Sequence, residues 1–327
     1  MCLIEELRSN NETVSWKETV YKMGRNHVSK CTGNCLQNDM KNLKINDFTF
    51  EWGSRTYVMG ILNLTPDSFS GDGLAELEQD TVIQQARDYV QAGADILDVG
   101  GESTRPGADP VSAEEEMDRV LPIIEILTQE FETLISIDTY KAEVAREALR
   151  IGADLVNDVW GFRADPSLAG VTASAEVPVI LMHNRSNPNN AAILEQLGGR
   201  YVGVEYDNLI EDVKKELMES VALAHRAGIP DEKIIIDPGI GFGKTVEQNL
   251  EVLNRLDDIR SLGYPVLLGP SRKSFIGYTL DLPPDDRIEG TAAAVSVGIV
   301  RGADIIRVHD VAEMIRIARM TDAIVRS

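Results

Sequence analysis

Residues 301–310 read Arg-Gly-Ala-Asp-Ile-Ile-Arg-Val-His-Asp. Glycine takes the left-handed backbone conformation that commonly ends a helix. The run Ile305–Val308 that follows is strand-sized and rich in β-branched residues. Polar side chains, Arg307 and His309, stand at its far end. The first half of this string recurs as Gly93-Ala94-Asp95 and Gly152-Ala153-Asp154, each time between a helical pattern and an apolar run. Gly228 before Ile229-Pro230 and Gly263 before Tyr264-Pro265 mark helix ends in the same way, with proline as a further stop.

Working outward, the apolar runs are Val58–Leu62, Ile96–Val99, Leu134–Ile137, Leu155–Val156, Val179–Met182, Ile234–Ile236, Val266–Leu268 and Ile305–Val308. Most are apolar at consecutive positions, as strands buried on both faces require. Helical patterns separate most of them. In Glu205–Arg226, Leu209, Val213, Leu217 and Val221 share one face while Glu211, Asp212, Lys214 and Lys215 occupy another. Eight βα units predict a (β/α)8 TIM barrel, an α/β fold. An open doubly wound sheet would show a glycine-rich turn after its first strand and fewer units.

A chain of 327 residues with 43% apolar and 26% charged residues has ordinary globular composition. Its longest apolar runs fall far below the roughly 18 residues a membrane helix needs, so no membrane association is expected. A formal charge of −21 repels a phosphate backbone, and nucleic acid is not expected as a partner. Residues 1–45 differ in composition: up to Lys44 they carry seven basic and five acidic side chains, against a strongly acidic remainder. They are expected to be a poorly ordered N-terminal extension, with residues 46–327 forming the barrel. The extension holds every cysteine (Cys2, Cys31 and Cys35), so a disulfide framework is excluded. It does not begin with a basic segment followed by an apolar stretch, and a cytoplasmic location is expected.

The polar residues after the apolar runs carry the functional reading. They are Asn63; Asp98 with Glu102, Ser103, Thr104 and Arg105; Asp138; Asn157 and Asp158; His183 and Asn184; Asp237; Ser271, Arg272 and Lys273; and Arg307 with His309. In a barrel these ends converge on one face, where the βα loops build the active site. Asn63, Thr104, Arg105, Arg307 and His309 suit an anion, whereas Asp138, Asn157 and Asp237 suit a flat donor edge such as the 2-amino-4-oxo side of a pterin. Lys273 is placed to meet the ring's oxygen. For Asp158 alone, an ordinary loop role is at least as good a reading. The string Gly239–Thr245 imitates a phosphate loop, but Pro238 stands where the motif needs glycine. Its glycines are expected to bring backbone close to a ligand, with Phe242 as one wall of the pocket.

These residues lie in strings that resemble the dihydropteroate synthase family, in order. The strings are Met59-Gly-Ile-Leu-Asn-Leu-Thr-Pro-Asp-Ser-Phe-Ser70, Asp98-Val-Gly-Gly-Glu-Ser-Thr-Arg-Pro-Gly107, Asp138-Thr139, Asn157-Asp158, Asp237-Pro-Gly-Ile-Gly-Phe-Gly-Lys244, Ser271-Arg-Lys-Ser274 and Arg307-Val-His-Asp310. The resemblance implies a (β/α)8 barrel, usually a homodimer, that joins 6-hydroxymethyl-7,8-dihydropterin pyrophosphate to p-aminobenzoate with Mg2+ present. It implies catalytic roles for Asn63, Asp67, Arg105, Lys273, Arg307 and His309, and pterin contacts from Asp138, Asn157, Met182, Asp237, Phe242 and Lys273. It further implies pyrophosphate contacts from Asn63, Thr104, Arg105, Arg307 and His309, metal binding by Asn63, and a p-aminobenzoate pocket of Phe69, Pro106, Lys273 and Ser274. Sulfonamides, which mimic p-aminobenzoate, are expected as competitive ligands. The first loop runs Ser70-Gly71-Asp72-Gly73, where the family often has the glycine and aspartate exchanged. The competing readings are a methyltetrahydrofolate–corrinoid methyltransferase-like pterin-binding protein and a catalytically silent folate-binding protein.

Overall fold

The protein is described by a computed structural model covering residues 40–326 except 65–74, 104–109, 188–189, 195–196 and 203. Residues 1–39, with the three cysteines, lie outside the described residues. So do Asp67, Phe69, Thr104, Arg105, Pro106 and the string at 70–73.

All eight predicted strands are present. They are β3 (Tyr57–Asn63), β4 (Ile96–Gly100), β5 (Leu134–Asp138), β6 (Leu155–Asp158), β7 (Val179–Met182), β10 (Ile234–Asp237), β11 (Leu267–Leu268) and β12 (Ile305–Val308). They pair in parallel in the order β10-β7-β6-β5-β4-β3-β12-β11. A parallel bridge between Ile236 and Val266 joins the two outer strands, so the sheet closes on itself. The helices are α1 (Ala75–Ala92), α2 (Ala113–Glu130), α3 (Ala142–Arg150), α4 (Leu168–Ser174), α5 (Leu209–Ala227), α6 (Val246–Asn254), α7 (Leu256–Arg260), α8 (Ser274–Leu280), α9 (Ile288–Val300) and α10 (Val311–Val325). Gly228 ends α5 at φ 96°, as its place in the sequence predicts. The three Gly-Ala-Asp glycines are likewise left-handed. Among the described residues, no helix is long and apolar enough to cross a membrane.

Strand alternation sorts the side chains into two sets. Val58, Leu97, Ile135, Val156, Leu181, Ile236, Leu268 and Ile306 belong to the large apolar cluster under the helices. Tyr57, Met59, Ile96, Leu134, Leu155, Ile180, Ile235, Leu267 and Ile305 belong to a second cluster inside the ring. That inner cluster is completed by Leu43, Ile45 and Phe50 from an antiparallel hairpin, β1 (Leu43–Ile45) and β2 (Phe48–Phe50). The hairpin plugs the ring at the end where the strands begin. It starts at Leu43, inside the stretch that composition assigned to the extension. Asn46 at φ 52° makes its turn.

Two or four residues further along seven of the strands, the same inward parity reaches Asn63, Asp98, Asp138, Asn157, Met182, Asp237 and Arg307. A ring closed by apolar side chains at one end therefore presents polar ones at the other. A second antiparallel hairpin, β8 (Ala191–Leu194) and β9 (Gly198–Tyr201), is inserted after β7.

Candidate active site

The strand ends open into a cavity of about 1670 Å³. Its walls include Asn63, Glu102, Asp138, Phe242, Ser271, Lys273, Ser274, Arg307 and His309. Residues from six strands or the loops that follow them thus share one space. Asn157, Met182 and Asp237 lie deeper and are buried.

Arg307 organises the deep end. Its Nε donates to Asp98 Oδ2 at 2.6 Å and a terminal nitrogen donates to Asp138 Oδ2 at 2.6 Å. Asn157 Nδ2 donates to the same Asp98 oxygen at 3.0 Å. Asp98 is fully buried, and its other oxygen, Oδ1, accepts no hydrogen bond among the described residues. A carboxylate oxygen held in that state is a strong acceptor facing no donor among the described residues. Burial pushes the Asp138 carboxyl up; Arg307 opposes this and the neighbouring Asp98 charge adds to it. Arg307, expected at the diphosphate, is thus tied on two edges to the carboxylates of the deep end.

Asp237 ends β10 and accepts from Gly239 N at 2.7 Å. Burial raises its pKa while Lys273 holds it down. Lys273 Nζ donates to the Ile240 carbonyl and lies 4.4 Å from the centre of the Phe242 ring, a cation–π contact. Burial lowers the Lys273 ammonium to about 8, with the Asp237 carboxylate opposing the shift. The lysine precedes α8, yet its charge is folded away from the helix start and onto the pocket.

His309 is fixed at the rim. Its Nδ1 is 3.0 Å from the Ser271 hydroxyl, which also accepts from the His309 backbone N–H at 3.2 Å. The Asn63 amide nitrogen is 3.5 Å from its Nε2, and Tyr89 donates to its carbonyl at 2.6 Å.

The glycines of 239–244 act differently from expectation. A Cβ at Gly239 would sit 1.8 Å from the His183 carbonyl oxygen, and one at Gly243 would sit 2.2 Å from the Arg185 carbonyl carbon. The close neighbour is the backbone after β7 rather than a ligand. Only at Gly241, 2.8 Å from the Lys273 side chain, does the glycine make room on the pocket side. Lys244 is buried and closes its own loop, donating to the carbonyls of Gly239 and Phe242 and lying 2.8 Å from His183 Nδ1. Burial lowers its pKa to about 7. The imitation phosphate loop is thus a self-bracing turn that carries Asp237 and Phe242. Asp158, likewise, caps its own loop by accepting from the Trp160 and Phe162 amides.

Of the described members of the predicted set, Asn63, Asp138, Phe242, Lys273, Ser274, Arg307 and His309 line the cavity, whereas Asn157, Met182 and Asp237 are buried at their strand ends and do not line it. Sequence reasoning gave no role to Asp98, although its inward parity matches that of Asn63. Nor did it give a role to Ser271, whose hydroxyl orients His309.

Residues 59–309 match the family described as pterin binding enzymes. The chain is 52% identical over 285 residues to a dihydropteroate synthase of Clostridium beijerinckii, covering 87% of this chain and all of that one. Among solved structures, it superimposes on the dihydropteroate synthase of Clostridium difficile, solved in the presence of pteroic acid. That match has a TM-score of 0.77 and 50% identity, over 85% of this chain and all of the other. The Yersinia pestis enzyme, solved with a sulfonamide drug, matches with a TM-score of 0.79 and 38% identity, over 88% of this chain and all of the other.

Proposed function

The chain belongs to the dihydropteroate synthases of folate biosynthesis, and from that premise we propose how its pocket handles the two substrates. The reaction condenses 6-hydroxymethyl-7,8-dihydropterin pyrophosphate with p-aminobenzoate, giving 7,8-dihydropteroate and pyrophosphate. The pterin enters the deep end, where Asp98, Asp138, Asn157 and Asp237 accept from its amino and ring N–H groups. Met182 and Phe242 flank the bicycle, and Lys273 donates to its oxygen. The observation that carries this assignment is the buried Asp98 oxygen with no donor among the described residues. Arg307 holds two of the carboxylates in register.

The diphosphate lies at the rim against Asn63 and His309, with Arg307 behind them. Thr104, Arg105 and Asp67 belong to the same group by resemblance. Among the described residues, no three His, Cys, Asp or Glu side chains form a metal cluster. Mg2+ commonly takes only one or two protein ligands and completes its shell with substrate phosphate and water, so the residues fit it. The Asn63 side-chain oxygen would hold the ion, which supplies charge neutralisation for the departing diphosphate.

Cleavage of the carbon–oxygen bond leaves negative charge on the leaving group and positive charge on the pterin methylene. The arylamine is already nucleophilic, so positioning suffices and no covalent intermediate or dedicated base is assigned. Its pocket is assigned to Lys273 and Ser274, and Phe69 and Pro106 belong to the same group by resemblance. Sulfonamides compete for that pocket, consistent with the drug-bound Yersinia pestis relative. The enzyme works as a cytoplasmic homodimer. Exposed apolar side chains on α9 (Val297, Val300) and α10 (Met320, Ile324, Val325) supply a face suited to a second copy.

Pyrophosphate release measured with each substrate alone and with both tests this reading. Release is expected only with both, and sulfonamide inhibition is expected to be overcome by p-aminobenzoate. No release above background would reject it, whereas methyl transfer from methyltetrahydrofolate to a corrinoid would favour the competing reading.

A further inference from the structure

Arg287 is the cap residue of α9 and is 2% exposed, an unusual degree of burial for an arginine. Its hydrogen bonds run to carbonyls of three separate segments. Nη1 donates to Arg272 O at 2.9 Å. Nη2 donates to Leu197 O, in the turn of the β8–β9 hairpin, at 3.0 Å and to Leu282 O, after α8, at 3.0 Å. Nε adds a second bond to Leu282 O at 3.1 Å. The absence of a side chain at Gly277 makes room for the guanidinium, because a Cβ there would lie 2.1 Å from a terminal nitrogen.

Each of the three segments faces the cavity. Leu197, Gly198 and Gly199 line it together with Lys273, Ser274 and Arg287 itself. Arg272 has φ 56°, a left-handed conformation that a residue with a Cβ adopts only at a cost. That residue immediately precedes Lys273 and Ser274, so its backbone angle aims both side chains. Thr291 Oγ1 accepts from the Arg272 N–H at 3.1 Å, and Asp310 pairs with its side chain. The guanidinium of Arg287 accounts for the remaining polar group, the carbonyl. On the hairpin side, Tyr278 donates to Gly198 O at 3.2 Å while Arg200 lies over the Tyr278 ring.

We propose that Arg287 is a positioning residue for the arylamine substrate: it fastens the hairpin turn to the strained Arg272 peptide and so shapes the wall beside Lys273 and Ser274. The hairpin thereby becomes a specificity element, because it bounds the side of the pocket on which a substituent of the aromatic ring would project. The inference rests on the placement of p-aminobenzoate against Lys273 and Ser274.

The test compares Arg287→Lys, Arg287→Met, Tyr278→Phe and Ser274→Ala in the full chain. The readouts are KM for each substrate, the sulfonamide inhibition constant and thermal unfolding. Removal of one hydrogen bond corresponds to about a 2- to 12-fold effect. Tyr278→Phe, which loses only a hydroxyl, is therefore expected to raise KM for p-aminobenzoate up to about tenfold. The Arg287 variants should raise it more, with lysine milder than methionine. In all three, KM for the pterin pyrophosphate stays within about twofold and the sulfonamide constant moves with the p-aminobenzoate KM. Equal changes in both substrate KM values, or lowered unfolding temperatures with unaltered KM values, overturn the proposal. If Ser274→Ala raises KM for p-aminobenzoate and Tyr278→Phe does not, the inference fails alone. If Ser274→Ala changes nothing, the pocket placement itself is wrong and the inference falls with it.

Discussion

Replacing Asp98 by asparagine exchanges one buried oxygen for an NH2 group, and its two effects should separate. The amide oxygen can take the Oδ2 position, where it still accepts from Arg307 Nε and Asn157 Nδ2. The amide nitrogen then takes the Oδ1 position, which has no partner among the described residues. A pterin donor would meet a donor there. Loss of a hydrogen bond to a charged acceptor costs about 1.5–3 kcal/mol, or roughly 10- to 150-fold in affinity. Stability should scarcely change, because Arg307 keeps its bond to Asp138 and a buried charge has been removed rather than stranded. A shift within about 1 kcal/mol corresponds to about 2–4 °C in unfolding temperature for a domain of this size. Initial rates of pyrophosphate release at saturating p-aminobenzoate give KM for the pterin substrate, and calorimetry gives the unfolding temperature. An unchanged pterin KM, or a fall of more than 10 °C, would show that Asp98 is a structural anchor and refute the reasoning.

Further outcomes follow from the same geometry. Lys273, lowered by burial to about 8, loses its charge as pH rises, so kcat/KM for p-aminobenzoate should fall about tenfold from pH 7 to pH 9. Its folded pKa lies below the unfolded value of about 10.4, so between these values the folded state binds fewer protons. This lysine's contribution to stability therefore rises with pH across the window in which activity falls. A flat profile, or the same falling limb in Lys273→Arg, would refute the assignment. Ser271→Ala removes the hydroxyl beside His309 Nδ1 and should lower kcat about tenfold, with KM for p-aminobenzoate nearly unchanged; the same steady-state assay decides it. Phe50→Ala empties the hairpin plug, where Phe50 stacks on Trp52 at 5.0 Å. It should cost about 3–5 kcal/mol, read as a lower denaturant midpoint with kinetics of the remaining folded enzyme unchanged.

The barrel was legible because its signals are local and repeated. Three Gly-Ala-Asp steps, each followed by a short apolar run, require only helix stops and buried strands. The site was legible in composition, since polar residues after each run point to one face once the ring is assumed. Asp98 stands among the polar strand ends, and counting in twos along Ile96-Leu97-Asp98 assigns it a place inward above Ile96. The plugging hairpin was hidden because its strands are three residues each, too short for a periodic signal, and Asn46-Asp47 fell on the compositional boundary. The partners of Arg307 were not readable, because Asp98 and Asp138 lie more than 160 residues away and meet it only across the ring. Nor was the purpose of Lys244. The same glycine-rich spelling serves a phosphate cradle or a self-braced turn, and what decides between them is whether the lysine side chain is buried.

A crystal structure with the pterin pyrophosphate and Mg2+ bound decides where the bicycle lies. The bicycle's amino edge is expected within hydrogen-bond distance of Asp98 Oδ1, with Asp138 and Asp237 beside it and the diphosphate against Asn63 and His309. A bicycle bound outside the ring, with Asp98 Oδ1 still lacking a donor, would contradict it.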